Sequence, residues 1–523
     1  MGHQKMNVSK AVNPNIAFWL ERRAVLQPQR ESLVYWHDVD TVERWTYRQL
    51  NQAAMRVAQW MSRKGVRAGD RVAFLDFNDV RYVIVMFAVA RIGAVFVPLN
   101  FRLSKAEIVS TMNDCQAQLM IYGEGFETIA KAVGEQTSCQ RFIRSSRDTA
   151  DEFGTIAHAK VSCSVPLHVA QWDDPAWLLY TSGSTGQPKG VVLSHGNIFW
   201  NTINIILIQG GFATDKVLIS APLFHAAPVA TFMDSFLRGA VIHLERSFDA
   251  GQLLKRIANE DVQVVAGVPA MYKLMAAHES FESTDLSRLR AVVVGGAPVP
   301  EELTRQYRSR GVAVIQRYGL TEAAPLVTAL PAGAPADKQM TAGLPAMFGD
   351  LRLRGEGGLV DQPGQIGEIE TIGPNIMQGY WMRDRETQEV LPEDGWLRTG
   401  DLGTIDGDGY LTVVGRKKDM IITGGENVYA AEVEARLVEN PMILESAVFG
   451  IADPKWGETV CAVISLKPGC MASEDDVIDH LQGRLARYKQ PRRVIFVDML
   501  PKNGSGKIDK LTLKRQYAEP VVS

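Results

Sequence analysis

The chain has 523 residues, which corresponds to roughly three or four folding units at about 100–200 residues each. Hydrophobic residues make up 46% and charged residues 22% of the chain, a composition that excludes the disordered and collagen-like classes. The 56 lysines and arginines nearly balance the 59 aspartates and glutamates, for a net charge of −3. Nucleic acid is therefore not expected as a partner, because its binding depends on many cationic contacts.

Short β-branched runs alternate with segments of helical periodicity over most of the first 320 residues. The predicted strands are Arg71–Leu75, Ala94–Pro98, Lys216–Ser220, Val241–Leu244, Val262–Ala266, Ala291–Val294 and Val312–Gln316. The predicted helices between them begin at Val80, Pro228, Ala250, Ala270 and Pro300. Such alternation predicts an α/β fold with mostly parallel sheets and helices on both faces, arranged as two doubly wound subdomains.

The pattern changes from about residue 340 onward. Glycine turns close short strand-like runs at residues 364–370 and 407–411, which predicts hairpins and a small β-barrel. After a charged segment at residues 415–419, the predicted elements form a compact α+β pattern: the helices Ala430–Glu439 and Glu474–Leu485, and the strands Ser446–Ile451, Val460–Leu466 and Val494–Val497. We therefore predict a large domain over residues 1–415, a hinge at 416–419 and a small mobile domain over 420–523.

Neither a membrane span nor a disulfide framework is expected. The most apolar stretch, residues 82–99, is interrupted by Arg91, Gly93 and Pro98, which favours a buried helix that continues into a buried strand. The five cysteines are scattered, without a C-x-x-C pair or a histidine at zinc-ligand spacing. Their sparse, odd number, together with an N-terminus that lacks a long apolar run, predicts a cytoplasmic protein.

The segment of residues 181–190, Thr-Ser-Gly-Ser-Thr-Gly-Gln-Pro-Lys-Gly, is the most informative of the chain. Backbone N–H groups and hydroxyls of such a loop can surround an anion, and Lys189 supplies a counter-charge, which suits a polyphosphate. The loop is not a Walker A motif, because Gln187 and Pro188 separate Gly186 from Lys189. By composition alone, a flexible surface turn is an equal alternative.

Four further motifs follow this loop, and together the five resemble the adenylate-forming acyl-CoA synthetases, which share their fold with firefly luciferase and the adenylation domains of peptide synthetases. The further motifs are Tyr318–Glu322 (YGLTE), Thr399–Asp401 (TGD), Gly415–Asp419 (GRKKD) and Pro501–Lys507 (PKNGSGK). The resemblance covers nearly the whole chain and is closest to fatty-acid or aryl-acid CoA ligases. It implies that a carboxylate and Mg-ATP form an acyl-adenylate and pyrophosphate, after which CoA forms the thioester and releases AMP.

The resemblance also implies roles for individual residues, carried over motif by motif. The ATP and AMP site is expected to contain Thr181, Ser182, Gly183, Ser184, Thr185, Gly186, Lys189, Gly296, Ala297, Pro298, Tyr318, Gly319, Asp401 and Arg416. The expected catalytic residues are Lys507, His225, Thr321 and Glu322, and the expected Mg²⁺ ligands are Glu322 and Thr185. Gly424, Gly425 and Glu426 are expected to contact CoA, and Lys418 to act as the hinge.

Each of these residues also has an ordinary structural interpretation. A carboxylate such as Glu322 is favourable at a helix N-terminus, and Asp401 is compatible with a simple turn. A histidine in an apolar stretch, such as His225, is usually packed, and a lysine such as Lys507 is usually solvated. Five motifs in the expected order favour the functional interpretation.

The substrate is expected to be a hydrophobic fatty or aryl acid, because the expected pocket walls at residues 229–237, at 293–298 and around Gly319 are mainly apolar or small. No arginine is expected to point into this pocket, and Arg238 is expected to lie outside it, which disfavours dicarboxylic acids. Two alternatives remain open: an acyl-AMP ligase that loads a carrier protein, and a non-catalytic nucleotide-binding regulator. The resemblance is also compatible with a homodimer.

Overall fold

A computed structural model describes residues 13–38, 41–145, 152–158, 165–182, 188–297, 299–503 and 506–517. These residues fall into two compact units, one within residues 1–351 and 371–397 and the other within residues 352–370 and 398–523. Within the described part of the chain, no helix is both long enough and apolar enough to span a bilayer.

Helices and strands alternate along most of the chain. The first part of the chain contains α1 (Ile16–Leu26), β1 (Glu31–Trp36), β2 (Val42–Thr46), α2 (Tyr47–Arg63), β3 (Arg71–Leu75), α3 (Val80–Arg91), β4 (Val95–Pro98), α4 (Lys105–Cys115), β5 (Leu119–Gly123), α5 (Glu127–Gln136), β6 (Phe142–Ser145) and α6 (Glu152–His158). The middle part contains β7 (Pro175–Ser182), β8 (Pro188–Ser194), α7 (His195–Gln209), β9 (Lys216–Ile219), α8 (Ala226–Arg238), β10 (Val241–Glu245), α9 (Ala250–Asn259), β11 (Val264–Gly267), α10 (Pro269–Ala276), β12 (Ala291–Gly295), α11 (Glu301–Ser309), β13 (Ala313–Gly319), β14 (Leu326–Ala329) and β15 (Leu344–Pro345). The last part contains β16 (Asp350–Gly355), β17 (Gly358–Leu359), β18 (Gly367–Ile372), β19 (Gly379–Tyr380), α12 (Asp384–Val390), β20 (Leu397–Ile405), β21 (Leu411–Arg416), β22 (Met420–Thr423), β23 (Glu426–Tyr429), α13 (Ala430–Val438), β24 (Ile443–Asp453), β25 (Gly457–Leu466), α14 (Glu474–Leu481), β26 (Arg493–Phe496) and α15 (Lys510–Tyr517).

The larger unit contains a nine-stranded sheet in the order β15-β14-β13-β12-β11-β9-β10-β1-β2. The strands from β13 to β1 in this order pair in parallel, while β14, β15 and β2 pair antiparallel at the two edges. The predicted mostly parallel α/β architecture is therefore confirmed. Strand β1 was not predicted. It pairs in parallel with β10, with Leu33 opposite Ile242.

A seven-stranded sheet in the order β19-β8-β7-β4-β3-β5-β6 also lies in the larger unit. All residues of α3 and of β4 are buried, so the apolar stretch forms the predicted buried helix followed by a buried strand. Aliphatic and aromatic side chains of α3 join one core cluster with residues of both sheets, such as Val72 and Leu33. Strands β8 and β19 pair antiparallel at one edge of this sheet.

The smaller unit contains most of a five-stranded sheet, β17-β16-β18-β20-β21, and all of a second, β23-β22-β25-β24 with β26 beside β25. The predicted hairpin around residues 407–411 is present between β20 and β21. The small barrel and the boundaries at 415–419 stay predictions. Helix α14 ends at Leu481, four residues before the predicted end, where Gly483 adopts a positive φ of 72°.

His195, the first residue of α7, connects the start of the chain to the seven-stranded sheet. It is 1% exposed, and its Nδ1 accepts a hydrogen bond from the backbone N–H of Ile16 at 3.2 Å. Burial lowers the pKa of His195 from its ordinary 6.5 to about 4, with a smaller opposing effect of Asp174. The neutral ring is therefore the form that the fold requires.

We expect this histidine to make the larger unit less stable in acid. Unfolding exposes a ring that binds a proton between about pH 6.5 and about pH 4, so stability falls with decreasing pH across this window, by about 2 kcal/mol at about pH 5. Denaturant titrations at about pH 7.5 and about pH 5 measure the loss. His195→Asn retains an acceptor but does not titrate, and it should reduce the pH dependence; an equally steep dependence in the variant would contradict the assignment.

Candidate functional site

The glycine-rich segment forms a β-hairpin of the larger unit. Strands β7 and β8 pair antiparallel, with Thr181 opposite Lys189 and Tyr180 opposite Gly190. The tip of the hairpin, with the predicted phosphate ligands Gly183, Ser184, Thr185 and Gly186, lies outside the described residues, as does Pro298. Lys189 is therefore the charged group of this motif whose position the structure gives.

The Tyr318–Glu322 motif begins at the end of β13 and continues into a 3₁₀ turn over Thr321–Ala323. Gly319 is required here, because a Cβ atom at this position would lie 1.7 Å from the carbonyl oxygen of Pro325. The close approach allows the Leu320 N–H to donate to that same oxygen at 3.0 Å. The turn thereby places Thr321 and Glu322 directly after the carboxyl end of a sheet strand, where open α/β sheets bind ligands.

Residues 374–381, which the sequence did not single out, support this turn. The side-chain amide of Asn375 donates to the carbonyl oxygens of Ala323 at 2.7 Å and Leu326 at 2.8 Å. The Met377 N–H donates to the carbonyl oxygen of Glu322 at 2.8 Å. The backbone from Glu322 to Leu326 is thus fixed by a segment about fifty residues later in the sequence.

Tyr380 brings the first two motifs together. Its hydroxyl donates to Oε1 of Glu322 at 2.8 Å, and Nζ of Lys189 lies 5.0 Å from the centre of its ring. Burial, and then the charge of Glu322, raise the pKa of Tyr380 well above its usual range, so the hydroxyl stays a neutral donor. We call Lys189, Glu322 and Tyr380 the phosphate-side cluster. The sequence signal for Tyr380 is weak, since it is one aromatic residue after a glycine.

The nucleotide and acyl-group candidates after β12 lie in the same sheet as Tyr318. Gly296, with a positive φ of 83°, and Ala297 are both exposed directly after this strand. Gly295, the last residue of β12, pairs in register with Arg317, the neighbour of Tyr318. The sequence-predicted small residues and the aromatic residue therefore lie at adjacent strand ends.

His225 precedes α8, which begins at Ala226, two residues before the predicted start. Its ring is half-buried, with its centre 4.3 Å from that of Phe224. The buried residues of α8 include Val229, Phe232 and Met233, which belong to the same core cluster as β12 and β13 residues. At the end of this helix, the side chain of Arg238 is only 6% exposed, because the buried carboxylates of Asp234 and Asp215 pair with it. Its place outside the acyl pocket stays a prediction.

In the smaller unit, Asp401 and Arg416 are cross-strand partners in β20 and β21. Their side chains form an ion pair of 3.2 Å between Nε and Oδ1, and Asp401 is 8% exposed. The pKa of Lys507 lies below its usual range because of partial desolvation and the charge of Arg416, with Asp401 opposing the shift. Three residues from three predicted motifs are thus electrostatically coupled within this unit.

The remaining candidates lie nearby in the sequence of the smaller unit. Gly424 and Gly425, both with positive φ, form the two-residue turn between β22 and β23, and Glu426 begins β23. A Cβ atom at Gly424 would lie 2.8 Å from the ring of Trp456, so the glycine permits close contact with an indole. Lys418 lies in a 3₁₀ turn over Lys417–Asp419, and its hinge role stays a prediction.

The residues present fit a Mg²⁺ ion that is held mainly by substrate. No group of three or more His, Cys, Asp or Glu side chains among the described residues could enclose a metal. Mg²⁺ typically binds one or two carboxylates together with substrate phosphates, and Glu322 provides a carboxylate that accepts a hydrogen bond from Tyr380. The second predicted ligand, Thr185, lies outside the described residues.

Comparison with known proteins identifies the family of the chain. The AMP-binding enzyme family matches residues 20–381, and the AMP-binding enzyme C-terminal domain matches residues 432–507. A feruloyl-CoA synthase of Amycolatopsis sp. is 41% identical over 507 residues (97% of this chain, 99% of that protein), and the long-chain-fatty-acid–CoA ligase FadD13 of Mycobacterium tuberculosis is 34% identical over 524 residues (97% and 99%). The o-succinylbenzoate CoA synthetase of Bacillus subtilis, solved with its acyl-adenylate, superimposes with a TM-score of 0.85 at 31% identity (95% and 97%). The chain belongs to the AMP-binding enzyme family.

Proposed function

We propose that the protein is an ATP-dependent acid–CoA ligase that activates an aryl carboxylic acid, with the phosphate-side cluster at its adenylation site. The observation that carries the proposal is Tyr380, which hydrogen-bonds Glu322 and lies beside Lys189. This contact joins a cation and a carboxylate from two separate nucleotide-binding motifs. Such a pair suits a magnesium–phosphate ligand, because it offers opposite charges to the metal and to the phosphate oxygens.

An aryl acid is favoured over an aliphatic one by the relatives. Feruloyl-CoA synthase and o-succinylbenzoate CoA synthetase are named for aromatic acids, whereas FadD13 is named for long-chain fatty acids. The relative named for an aromatic acid has the higher sequence identity, 41% against 34%.

In the first half-reaction, a carboxylate oxygen attacks the α-phosphorus of ATP, and the bond between the α-phosphorus and the bridging oxygen breaks. The electron pair leaves with pyrophosphate, and the acyl-adenylate remains. Mg²⁺, when bound, neutralises charge on the phosphates. Lys189 and Thr321 are proposed to orient the phosphates, and Lys507 to offset the negative charge that develops at the reacting oxygens. Tyr380 fixes the carboxylate of Glu322.

In the second half-reaction, the sulfur of CoA attacks the acyl carbon of the adenylate. The carbon–sulfur bond forms, the acyl–oxygen bond breaks, the thiol proton is lost to solvent or a base, and AMP leaves. His225 is proposed to orient the thiol, and Gly424, Gly425 and Glu426 to contact the pantetheine arm. Asp401 is proposed to accept hydrogen bonds from the two ribose hydroxyls, and Arg416, its ion-pair partner, to approach the same ribose.

The function is tested by pyrophosphate release over a panel of acids. We expect an aromatic acid such as cinnamate to give acid-dependent pyrophosphate release, and CoA addition to give the thioester by mass spectrometry. Release without thioester formation, but with transfer to a phosphopantetheinyl carrier protein, would identify an acyl-AMP ligase instead. ATP binding without release for any acid would identify a regulator.

Three further properties are proposed from the family resemblance. They are a cytoplasmic location, a homodimeric assembly, and the hinge at residues 416–419 with Lys418 at its centre. Light scattering combined with size-exclusion chromatography measures the mass of the assembly directly. A single species of the 57.7 kDa chain mass would contradict the homodimer.

A further inference from the structure

Asp114, the next-to-last residue of α4, is a carboxylate with two partners at the edge of the seven-stranded sheet. Its Oδ2 accepts a hydrogen bond from the hydroxyl of Tyr180 in β7 at 2.6 Å. Its Oδ1 accepts one from Nη2 of Arg383, between β19 and α12, at 3.0 Å. The side chains of Asp114 and Arg383 are each 24% exposed, so this ion pair is partly shielded from solvent. We call these three residues the Asp114 bridge.

The two partners of Asp114 belong to segments on either side of β8. The strand order at this edge is β19-β8-β7. Tyr180 lies opposite Gly190 of β8, and on the other side the N–H of Trp381 donates to the carbonyl oxygen of Gly190 at 2.7 Å. Lys189 directly precedes this glycine in β8. The Asp114 bridge therefore spans the strand that carries the cation of the phosphate-side cluster.

Gly190 leaves room for the bridge. A Cβ atom at this position would lie 3.1 Å from the ring of Tyr180 and 2.8 Å from the side chain of Leu178. Because glycine has no side chain, the ring of Tyr180 can lie against β8. Burial raises the pKa of Tyr180 well above its usual range, with a smaller contribution from its hydrogen bond to Asp114, so the hydroxyl stays a neutral donor to the carboxylate.

The Asp114 bridge and the phosphate-side cluster lie on opposite faces of the sheet. Side chains alternate between the two faces of a strand. Tyr180 and Trp381 pack against the core cluster that α4 joins, whereas Tyr380 packs against the other core cluster, which contains Val191. Lys189 is two residues from Val191 and shares its face, in agreement with its contact to the ring of Tyr380. The bridge thus supports β8 from the side away from the expected ligand.

Arg383 is connected to Tyr380 by a short, hydrogen-bonded turn. The N–H of Arg383 donates to the carbonyl oxygen of Tyr380 at 3.2 Å. The hydroxyl of Thr387 accepts from the N–H of Tyr380 at 2.9 Å and donates to the carbonyl oxygen of Arg383 at 2.8 Å. Glu386 is a longer second partner of Arg383, at 3.5 Å. A displacement of Arg383 is therefore transmitted to Tyr380, and through its hydroxyl to Glu322.

We propose that Asp114 is a positioning residue for adenylation, which holds together the two strands beside β8 and so fixes the geometry of the phosphate-side cluster. This inference deepens the proposed function and depends on it. Asp114 acts through the sheet and is not a catalytic residue. The phosphate-side cluster is needed while ATP is bound and pyrophosphate leaves, so the first half-reaction should depend on the bridge and the second should not.

Asp114→Asn should lower the rate of acid-dependent pyrophosphate release by about 10-fold, while thioester formation from synthetic acyl-adenylate and CoA stays within about two-fold of the wild-type rate. Asparagine keeps the size of the side chain but loses the charge that binds Arg383. Tyr180→Phe removes one hydroxyl and keeps the ring, and Arg383→Met removes the other partner. Each single variant breaks the same bridge, so the double variant Tyr180→Phe/Arg383→Met should lose no more than the more impaired of the two single variants.

Glu21→Gln is the matched control, because it breaks an ion pair of 3.2 Å with the buried Arg91 elsewhere in the larger unit. It should leave the ratio of the two half-reaction rates at the wild-type value. Equal losses in both half-reactions of Asp114→Asn, additive losses in the double variant, or the same change of ratio in Glu21→Gln would overturn the positioning role while leaving the proposed function intact. If Asp114→Asn does not fold, the half-reaction ratio of Tyr180→Phe decides the question by the same criterion. No pyrophosphate release by the wild type with any acid would overturn the proposed function itself, and this inference with it.

Discussion

Lys507→Ala should lower the rate of acyl-adenylate formation by about 10²- to 10³-fold, while the conversion of supplied acyl-adenylate and CoA to thioester stays near the wild-type rate. A fixed cation is most valuable where negative charge develops, and this happens when pyrophosphate leaves. The two half-reactions are measured separately, by pyrophosphate release and by thioester formation from synthetic adenylate. Equal loss in both would refute the assignment of Lys507 to the first step.

Lys502→Ala is the control from the same loop. The amine of Lys502 forms an ion pair of 2.9 Å with Glu445, so its removal tests the fold of the loop without removing the coupled lysine. We expect it to leave adenylation within a few-fold of the wild type, and a loss as large as that of Lys507→Ala would show that loop structure is responsible.

The lowered pKa of Lys507 predicts a pH dependence. Its amine loses the proton at a lower pH than an ordinary lysine does, so the rate of adenylation should begin to fall at a correspondingly lower alkaline pH.

Glu322→Gln should lower adenylation by about 10²-fold or more and raise the Mg²⁺ concentration needed for half-maximal activity. Glutamine retains an oxygen that can accept the hydrogen bond of Tyr380, so the turn should stay in place while the negative charge is lost. Calorimetric titration with ATP, with and without Mg²⁺, measures the loss of metal-dependent binding independently of turnover. An unchanged Mg²⁺ dependence would contradict the ligand role.

Tyr380→Phe is the matched variant for this experiment. It removes the hydroxyl that orients the carboxylate but keeps both the ring beside Lys189 and the charge of Glu322. We expect a smaller loss than that of Glu322→Gln, with only a modest change in the Mg²⁺ requirement. A larger loss in Tyr380→Phe would indicate that the hydroxyl acts on the substrate directly.

Much of the fold could be predicted because local periodicity determines it. The strand Arg71–Leu75 has the predicted bounds, and Val80 begins a fully buried helix as predicted. The position of β1 in the sheet could not be predicted, because no local signal shows that residues 31–36 pair with β10. The register of such a strand is fixed by long-range packing, which sequence patterns do not contain.

Some residues of the candidate site could likewise be predicted from local motifs, and others could not. Motif residues such as Gly319 could be predicted, and the 1.7 Å approach of Pro325 explains why glycine is needed there. Tyr380 and Asn375 were missed because they act through contacts with residues that are distant in the sequence. The burial of Arg238 could not be predicted, because it depends on an ion pair with the buried Asp215, which lies outside α8.

The pairing of β19 with β8 has a consequence for the order of events during synthesis. Lys189 is synthesised first and Glu322 later. Asn375, whose amide supports the turn, and Tyr380 of β19 are synthesised after both. The phosphate-side cluster can assemble only when the ribosome has passed Tyr380. A nascent chain that ends before this point lacks the contacts that fix Glu322, so this carboxylate reaches its position only near the completion of the larger unit.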